Sequence, residues 1–159
     1  MHVSRLLGVV LAVGFSTGVA FAFAQSAAKK SAESSGSVAS QLMANEHKVL
    51  DALKSKDAAG FSSLVVTDSW NIDENGLMKT AEFVKALPEL KVESLKTSDM
   101  KVLSMSPTVS LVTYKLDQKG SFLGQAFPPV VYATTVWVNN GDTWRAMFHQ
   151  ESTAAPARK

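Results

Sequence analysis

Cysteine is missing altogether from the 159 residues, which excludes disulfides, thiolate nucleophiles and thiolate metal ligands. Histidine is scarce: there are three, and His47 and His149 stand about a hundred residues apart, so an imidazole metal site lacks ligands. Charge of one sign is missing too, since 16 Lys and Arg face 14 Asp and Glu for a formal net charge of +2. A nucleic-acid footprint needs Lys and Arg gathered on one face, and the one basic cluster, Lys29-Lys30, is followed at once by Ser, Ala and Glu. There is no Gly-rich phosphate loop and no Ser-His-Asp signature. No cofactor, metal or nucleic acid is therefore expected.

What is present begins with a short basic start, Met1 to Arg5, and an apolar run rich in Gly and Ala from Leu6 to Ala22. The run ends in Ala22-Phe23-Ala24, the small-residue pattern of a signal peptidase site. Residues 1–24 read as a cleaved signal peptide, which implies export to a periplasm or beyond the cell and no membrane association after cleavage. A retained anchor is the rival reading, but Gly8, Gly14, Ser16, Thr17 and Gly18 weaken the span. Cleavage removes one Arg and no acid, leaving 15 basic against 14 acidic residues. Residues 25–37 hold no aliphatic side chain larger than Ala and read as a disordered linker. Residues 38–152 form the expected domain, and 153–159 a flexible tail.

In the domain the apolar period is first helical. Val38, Leu42, Val49, Leu50 and Leu53 share one stripe of a helix over Val38 to Lys56, with Asn45, Lys48 and Lys56 on the other side. Asp57 suits the N-cap of a short helix over Ala58 to Val65. Thr67 to Asp73 is β-prone and carries Trp70, the Asn75-Gly76 pair favours a tight turn, and a third helix runs from behind Thr80 to Pro88. After that the period becomes two. Val92 to Met105, Thr108 to Leu116, Val130 to Asn139 and Thr143 to Glu151 read as strands, parted by Ser106-Pro107, Lys119-Gly120 and Asn139 to Asp142. Helices followed by antiparallel strands predict an α+β domain.

Particular residues add to that pattern. Glu46-x-x-Val49-Leu50-x-Ala52-Leu53-x-x-x-Asp57, then Phe61-x-x-Leu64 and an Asp73-x-x-Gly76 turn, are similar to the opening of SnoaL-like domains of the nuclear transport factor 2-like superfamily. Val136-Trp137-Val138, the Gly141 turn and Trp144 to Ser152 look like the last hairpin of that group. The resemblance spans about Ala39 to Ser152. It implies a cone in which three N-terminal helices pack on a strongly curved antiparallel sheet. It also implies a homodimer through the sheet face, and it leaves activity open, because members include isomerases, dehydratases, epoxide hydrolases and subunits that only bind or assemble.

In ketosteroid-isomerase-like members a carboxylate on the first strand moves the proton, and Asp73 occupies the matching place, although Asp73-Glu74-Asn75-Gly76 also reads as an ordinary solvated turn. The matching tyrosine of the first helix falls on Val49, and the second acid meets Tyr132, Ala133, Thr134 or Thr135. An oxyanion donor is thus missing from that set, which argues against steroid-isomerase chemistry. Strict alternation along the last strand puts Trp144, Ala146, Phe148 and Gln150 inside, with Arg145, Met147, His149 and Glu151 outside. Trp70, Tyr114, Tyr132 and Trp137 either line a pocket with Phe148 and Gln150 or fill the core. The leading expectation is an exported domain that binds a small apolar molecule. An acid-base isomerase or dehydratase using Asp73 and a structural association module are the alternatives.

Overall fold

The computed structural model describes the backbone of residues 18–141 and 143–154, with side chains from residue 36 onward. The chain falls into two compact units, Met1–Ser34 and Ser35–Lys159. Residues 1–17 of the expected signal peptide and 155–159 of the expected tail lie outside the described residues. Helix α1 spans Gly18–Ser55, so residues 25–37 are helical where the sequence reading expects a disordered linker. Their Ala, Gln, Lys and Glu are good helix formers, no proline interrupts them, and each further turn extends one already nucleated. Among the described residues no helix is long and apolar enough to cross a membrane.

The rest of the description concerns the second unit. Helix α2 (Ala58–Leu64) starts where Asp57 accepts a hydrogen bond from the Gly60 amide at 2.9 Å, the cap expected from sequence. Strands β1 (Val65–Asp73) and β2 (Gly76–Lys79) form a hairpin in which Asp73 pairs with Gly76. Gly76 takes a φ of 114°, a backbone state that glycine adopts without steric cost. Helix α3 (Thr80–Ala86) runs into a 3-10 turn at Leu87–Glu89, and four longer pieces of sheet follow: β3 (Lys91–Ser106), β4 (Val109–Phe122), β6 (Val130–Asn139) and β7 (Trp144–Thr153), with a two-residue β5 (Gln125–Ala126) beside β4.

Two sequence expectations change. The Lys119-Gly120 break does not end a strand: β4 runs through it to Phe122, with Gly120 and Ser121 paired to Val92 and Lys91 of β3, and glycine is needed there because a Cβ would meet the Lys91 carbonyl and the Phe127 ring. The sheet is also mixed and not wholly antiparallel. Its order is β2-β1-β7-β6-β4-β3, and β1 pairs parallel with β7 while the other neighbours are antiparallel. The last strand thus closes against the first, which a hairpin-only reading of the chain cannot anticipate.

The helices cover one face of this curled sheet. Leu42, Leu50 and Ala52 of α1 and Phe61 of α2 share a buried cluster with Val112, Leu116, Val131, Trp137 and Trp144 from the sheet. Burying a ring such as Phe61 contributes roughly 1.5–3 kcal/mol. Asn45, expected on the polar side of α1, is buried as well. A second, smaller cluster joins Leu87 and Leu90 to Phe122, and Phe83 bridges the two, its ring 5.5 Å from that of Phe61 and 5.4 Å from that of Phe122. The α+β cone expected from sequence is the fold observed.

Candidate functional site

Between the helices and the concave face lies a cavity of about 130 Å³. Its walls are mainly apolar, with Val49, Leu50, Phe61, Phe83, Leu116 and Phe148 among them. Its polar residues come from one helix, five strands and one turn.

Glu46 is the central polar group. It sits on α1 one turn after Leu42 and one before Leu50, in the middle of the apolar stripe, and is 1 % exposed. A carboxylate there is tolerable only with partners, and it has three. Tyr114 Oη donates to Oε1 at 2.9 Å, Thr135 Oγ1 donates to Oε1 at 2.8 Å, and Trp137 Nε1 donates to Oε2 at 2.8 Å. Burial, and then the adjacent Glu46 carboxylate, push the Tyr114 hydroxyl well above its usual pKa, so it remains a donor.

The network continues to His149, whose Nδ1 lies 2.9 Å from Thr135 Oγ1 and whose Nε2 lies 3.6 Å from Glu151 Oε1. Gln118 Nε2 donates to the other Glu151 oxygen at 3.3 Å. Burial pulls the imidazole pKa down. The hydrogen bond to Glu151 and the fields of Glu151, Glu46 and Asp73 more than offset it, and the net shift is upward.

That His149 and Glu151 face inward corrects the alternation argument. Trp137 of β6 pairs with Ala146 and Val136 with Phe148, so Met147 is an extra residue, a β-bulge. Beyond it the alternation reverses. His149 and Glu151 pair with the buried Thr135 and Ala133, and both line the cavity, while Gln150 pairs with Thr134 and is exposed.

The expected site residues divide accordingly. Asp73, Trp70, Tyr114 and Phe148 line the cavity. Asp73 is half-buried at the end of β1, and its Oδ1 accepts from the Asn75 amide at 2.7 Å, as in an Asx turn. Its neighbour Glu74 is exposed at the turn, its pKa raised by partial desolvation together with Asp73 and Glu151 and partly restrained by a backbone hydrogen bond. Trp70 stands at the rim with the Lys79 ammonium 5.2 Å from its ring centroid, a cation–π distance. Trp137 is wholly buried and reaches the site only through its bond to Glu46. Tyr132 is 59 % exposed on the other side of the sheet, and neither it nor Gln150 reaches the cavity. Sequence reasoning passed over Glu46, Thr135 and Glu151. For Glu46 the signal was there: a charged residue in register with Leu42, Leu50 and Leu53.

Among the described residues no group of three or more His, Asp and Glu is placed to hold a metal ion. The carboxylates and the imidazole can exchange protons with, or hydrogen-bond to, a molecule in the cavity. The Val49 position lines it and brings no donor.

The architecture defines a class before it defines a chemistry: this chain has the nuclear transport factor 2-like fold. It superposes on an NTF2-like protein from Cytophaga hutchinsonii with a TM-score of 0.67 and 15% identity, covering 72% of this chain and 97% of that one. An NTF2-like protein of unknown function in nutrient uptake from Rhodospirillum rubrum gives 0.66 and 20% identity over 72% of this chain and 98% of that one. The association domain of CaMKII from C. elegans gives 0.59 and 16%, covering 72% and 94%. No protein-family model matches the sequence, and no curated protein matches it. At these identities the likeness speaks for the fold alone.

Proposed function

We propose that this is an exported domain that binds one small, mainly apolar molecule in its cone and pairs with a second copy through the outer face of the sheet. The observation that carries the binding is the cavity itself: about 130 Å³, apolar on most sides, with a hydrogen-bonded polar end at His149 and Glu151. A protein cavity of roughly 150 Å³ accepts benzene, so the size matches a single-ring molecule. Export is supported by the basic start, apolar run and Ala22-Phe23-Ala24 of the sequence. Pairing is supported by a row across the outer face in which Leu103, Leu111 and Val136 stand opposite one another in register, flanked by the exposed Met105 and Met147. The same row supports a structural association module. A monomer by light scattering at high concentration removes the pairing and that module together.

The test of binding uses toluene. Saturable stabilisation is expected, reaching about 2.7 kcal/mol at a hundred times the dissociation constant, and it should vanish in Val49→Phe, which fills the cavity from α1. Methyl signals of Leu50 and Leu53 that do not move at saturating toluene remove the proposal.

Acid-base isomerisation or dehydration of the bound molecule is the second reading. The observation that favours it is the adjacency of His149 and Glu151 inside the cavity, with Asp73 at its edge. It predicts exchange of solvent deuterium into the α-carbon of bound cyclohexanone at a rate that His149→Gln or Asp73→Asn reduces. Exchange no faster than in buffer disposes of it.

A further inference from the structure

Thr135 has one hydroxyl hydrogen and two neighbours within reach of it, Glu46 Oε1 at 2.8 Å and His149 Nδ1 at 2.9 Å. The rest of the network decides between them. Trp137 Nε1 can only donate, and it takes Glu46 Oε2; Tyr114 donates to Oε1. Glu46 therefore stands as an acceptor on both oxygens, and the Thr135 hydrogen completes its set. What Thr135 then offers His149 is a lone pair, so Nδ1 must carry a hydrogen to make the 2.9 Å contact.

We infer that Glu46 acts through Thr135 as a positioning residue that holds neutral His149 in its Nδ1–H form, leaving Nε2 as a hydrogen-bond acceptor at the polar end of the cavity, so that the site prefers single-ring molecules ending in a hydroxyl. This rests on the reading that the cavity binds a small molecule, and it specifies the polar end of that molecule.

The surroundings agree on sign. The charged and titratable groups facing His149 are Glu46 on α1, Asp73 and Glu74 at the β1–β2 turn, Tyr114 on β4 and Glu151 on β7, and among the described residues no Lys or Arg lines the cavity. A carboxylate-bearing molecule would meet like charge at close range. Among the described residues Nε2 meets no donor: its nearest partner, Glu151, is an acceptor held from the far side by Gln118. Protonation of His149 gives Nε2 a hydrogen and turns it to Glu151, so the hydroxyl preference belongs to the neutral imidazole and fades as pH falls through its pKa. The upward shift of that pKa places this change above the usual imidazole value.

The experiment compares toluene, phenol and benzoate with the full chain at about pH 8.5, in the wild type and in Thr135→Val, which keeps shape and removes the hydroxyl. The ratio of phenol to toluene affinity should fall about three- to tenfold in Thr135→Val, the worth of one net hydrogen bond, and benzoate should bind neither form. Nitrogen NMR of wild-type His149 should show a protonated Nδ1 and a bare Nε2. That spectrum needs no variant, so it decides the point even if Thr135→Val folds poorly. Toluene that fails to bind overturns the cavity reading and this inference with it. Toluene that binds, with an unchanged phenol ratio or with the hydrogen found on Nε2, overturns this inference and leaves the cavity reading standing.

Discussion

Glu46 and Asp73 are carboxylates of one cavity, and their surroundings differ at every point. Glu46 comes from the interior of a helix, is sealed from water and takes three hydrogen bonds from side chains 68, 89 and 91 residues away in sequence. Asp73 comes from the end of a strand, is half-open to solvent and spends one oxygen on an amide two residues on. The first ties α1 to β4 and β6 and sets the geometry of the polar end. The second shapes a turn and keeps its other oxygen free. Chemistry-bearing residues of equal formal charge thus separate into a long-range tie and a local turn-former, and solvent access is what separates them.

Glu46→Leu should break the comparison hardest. It takes the shared acceptor from three buried donors and leaves Tyr114 and Trp137 with none, at roughly 1–3 kcal/mol each, so a loss of the order of 4 kcal/mol is expected from urea unfolding, against a total of about 5–15 kcal/mol for a domain. A loss below about 1 kcal/mol would mean that the three donors find water and that the tie has no energetic weight. Of intermediate size is the pH response. The folded pKa of His149 is raised above the unfolded value, so the group contributes stability that is fully present below about pH 6.5 and is lost as pH rises through the folded pKa. The urea midpoint should therefore fall in the window just above pH 6.5 in the wild type and stay flat in His149→Gln. A wild-type midpoint that climbs through that window reverses the argument. The smallest effect belongs to Asp73→Asn, because the amide oxygen of Asn can still accept from Asn75. The change in stability should stay within about 0.5 kcal/mol, and a thermal transition displaced by many degrees would place Asp73 with the long-range ties.

The same contrast explains what the sequence reveals. Local rules find the Asp57 cap, the hairpin at Gly76 and the end of α3, because each is decided by residues within a few positions. The cone also follows, since its helical and strand periods are strong and Trp144 and Ala146 fall inside as expected. The polar site does not follow, for two physical reasons. Glu46 finds its partners only when β4 and β6 curl over α1, and no residue near it in the chain announces Tyr114, Thr135 or Trp137. The bulge at Met147 breaks the two-residue period without a glycine or proline to mark it, so strict alternation gives Gln150 the place that His149 and Glu151 hold. The parallel pairing of β1 with β7 is likewise a property of the closed sheet and not of either strand.

That single extra residue has a consequence for how such a protein can change. A strand's inward and outward residues form two interleaved sets, and Met147 is where the last strand switches from reading one set to reading the other. Met147 stands opposite no residue of β6, so its removal would leave Ala146 on Trp137 and Phe148 on Val136, whereas removal of one residue beyond the bulge, such as Phe148, with the bulge kept, would bring Gln150 and Ser152 to the seats of the imidazole and the carboxylate while Trp144 and Ala146 kept theirs. The last strand's share of the interior chemistry can thus be replaced by a change of length beyond the bulge, with the incoming side chains already written in the gene.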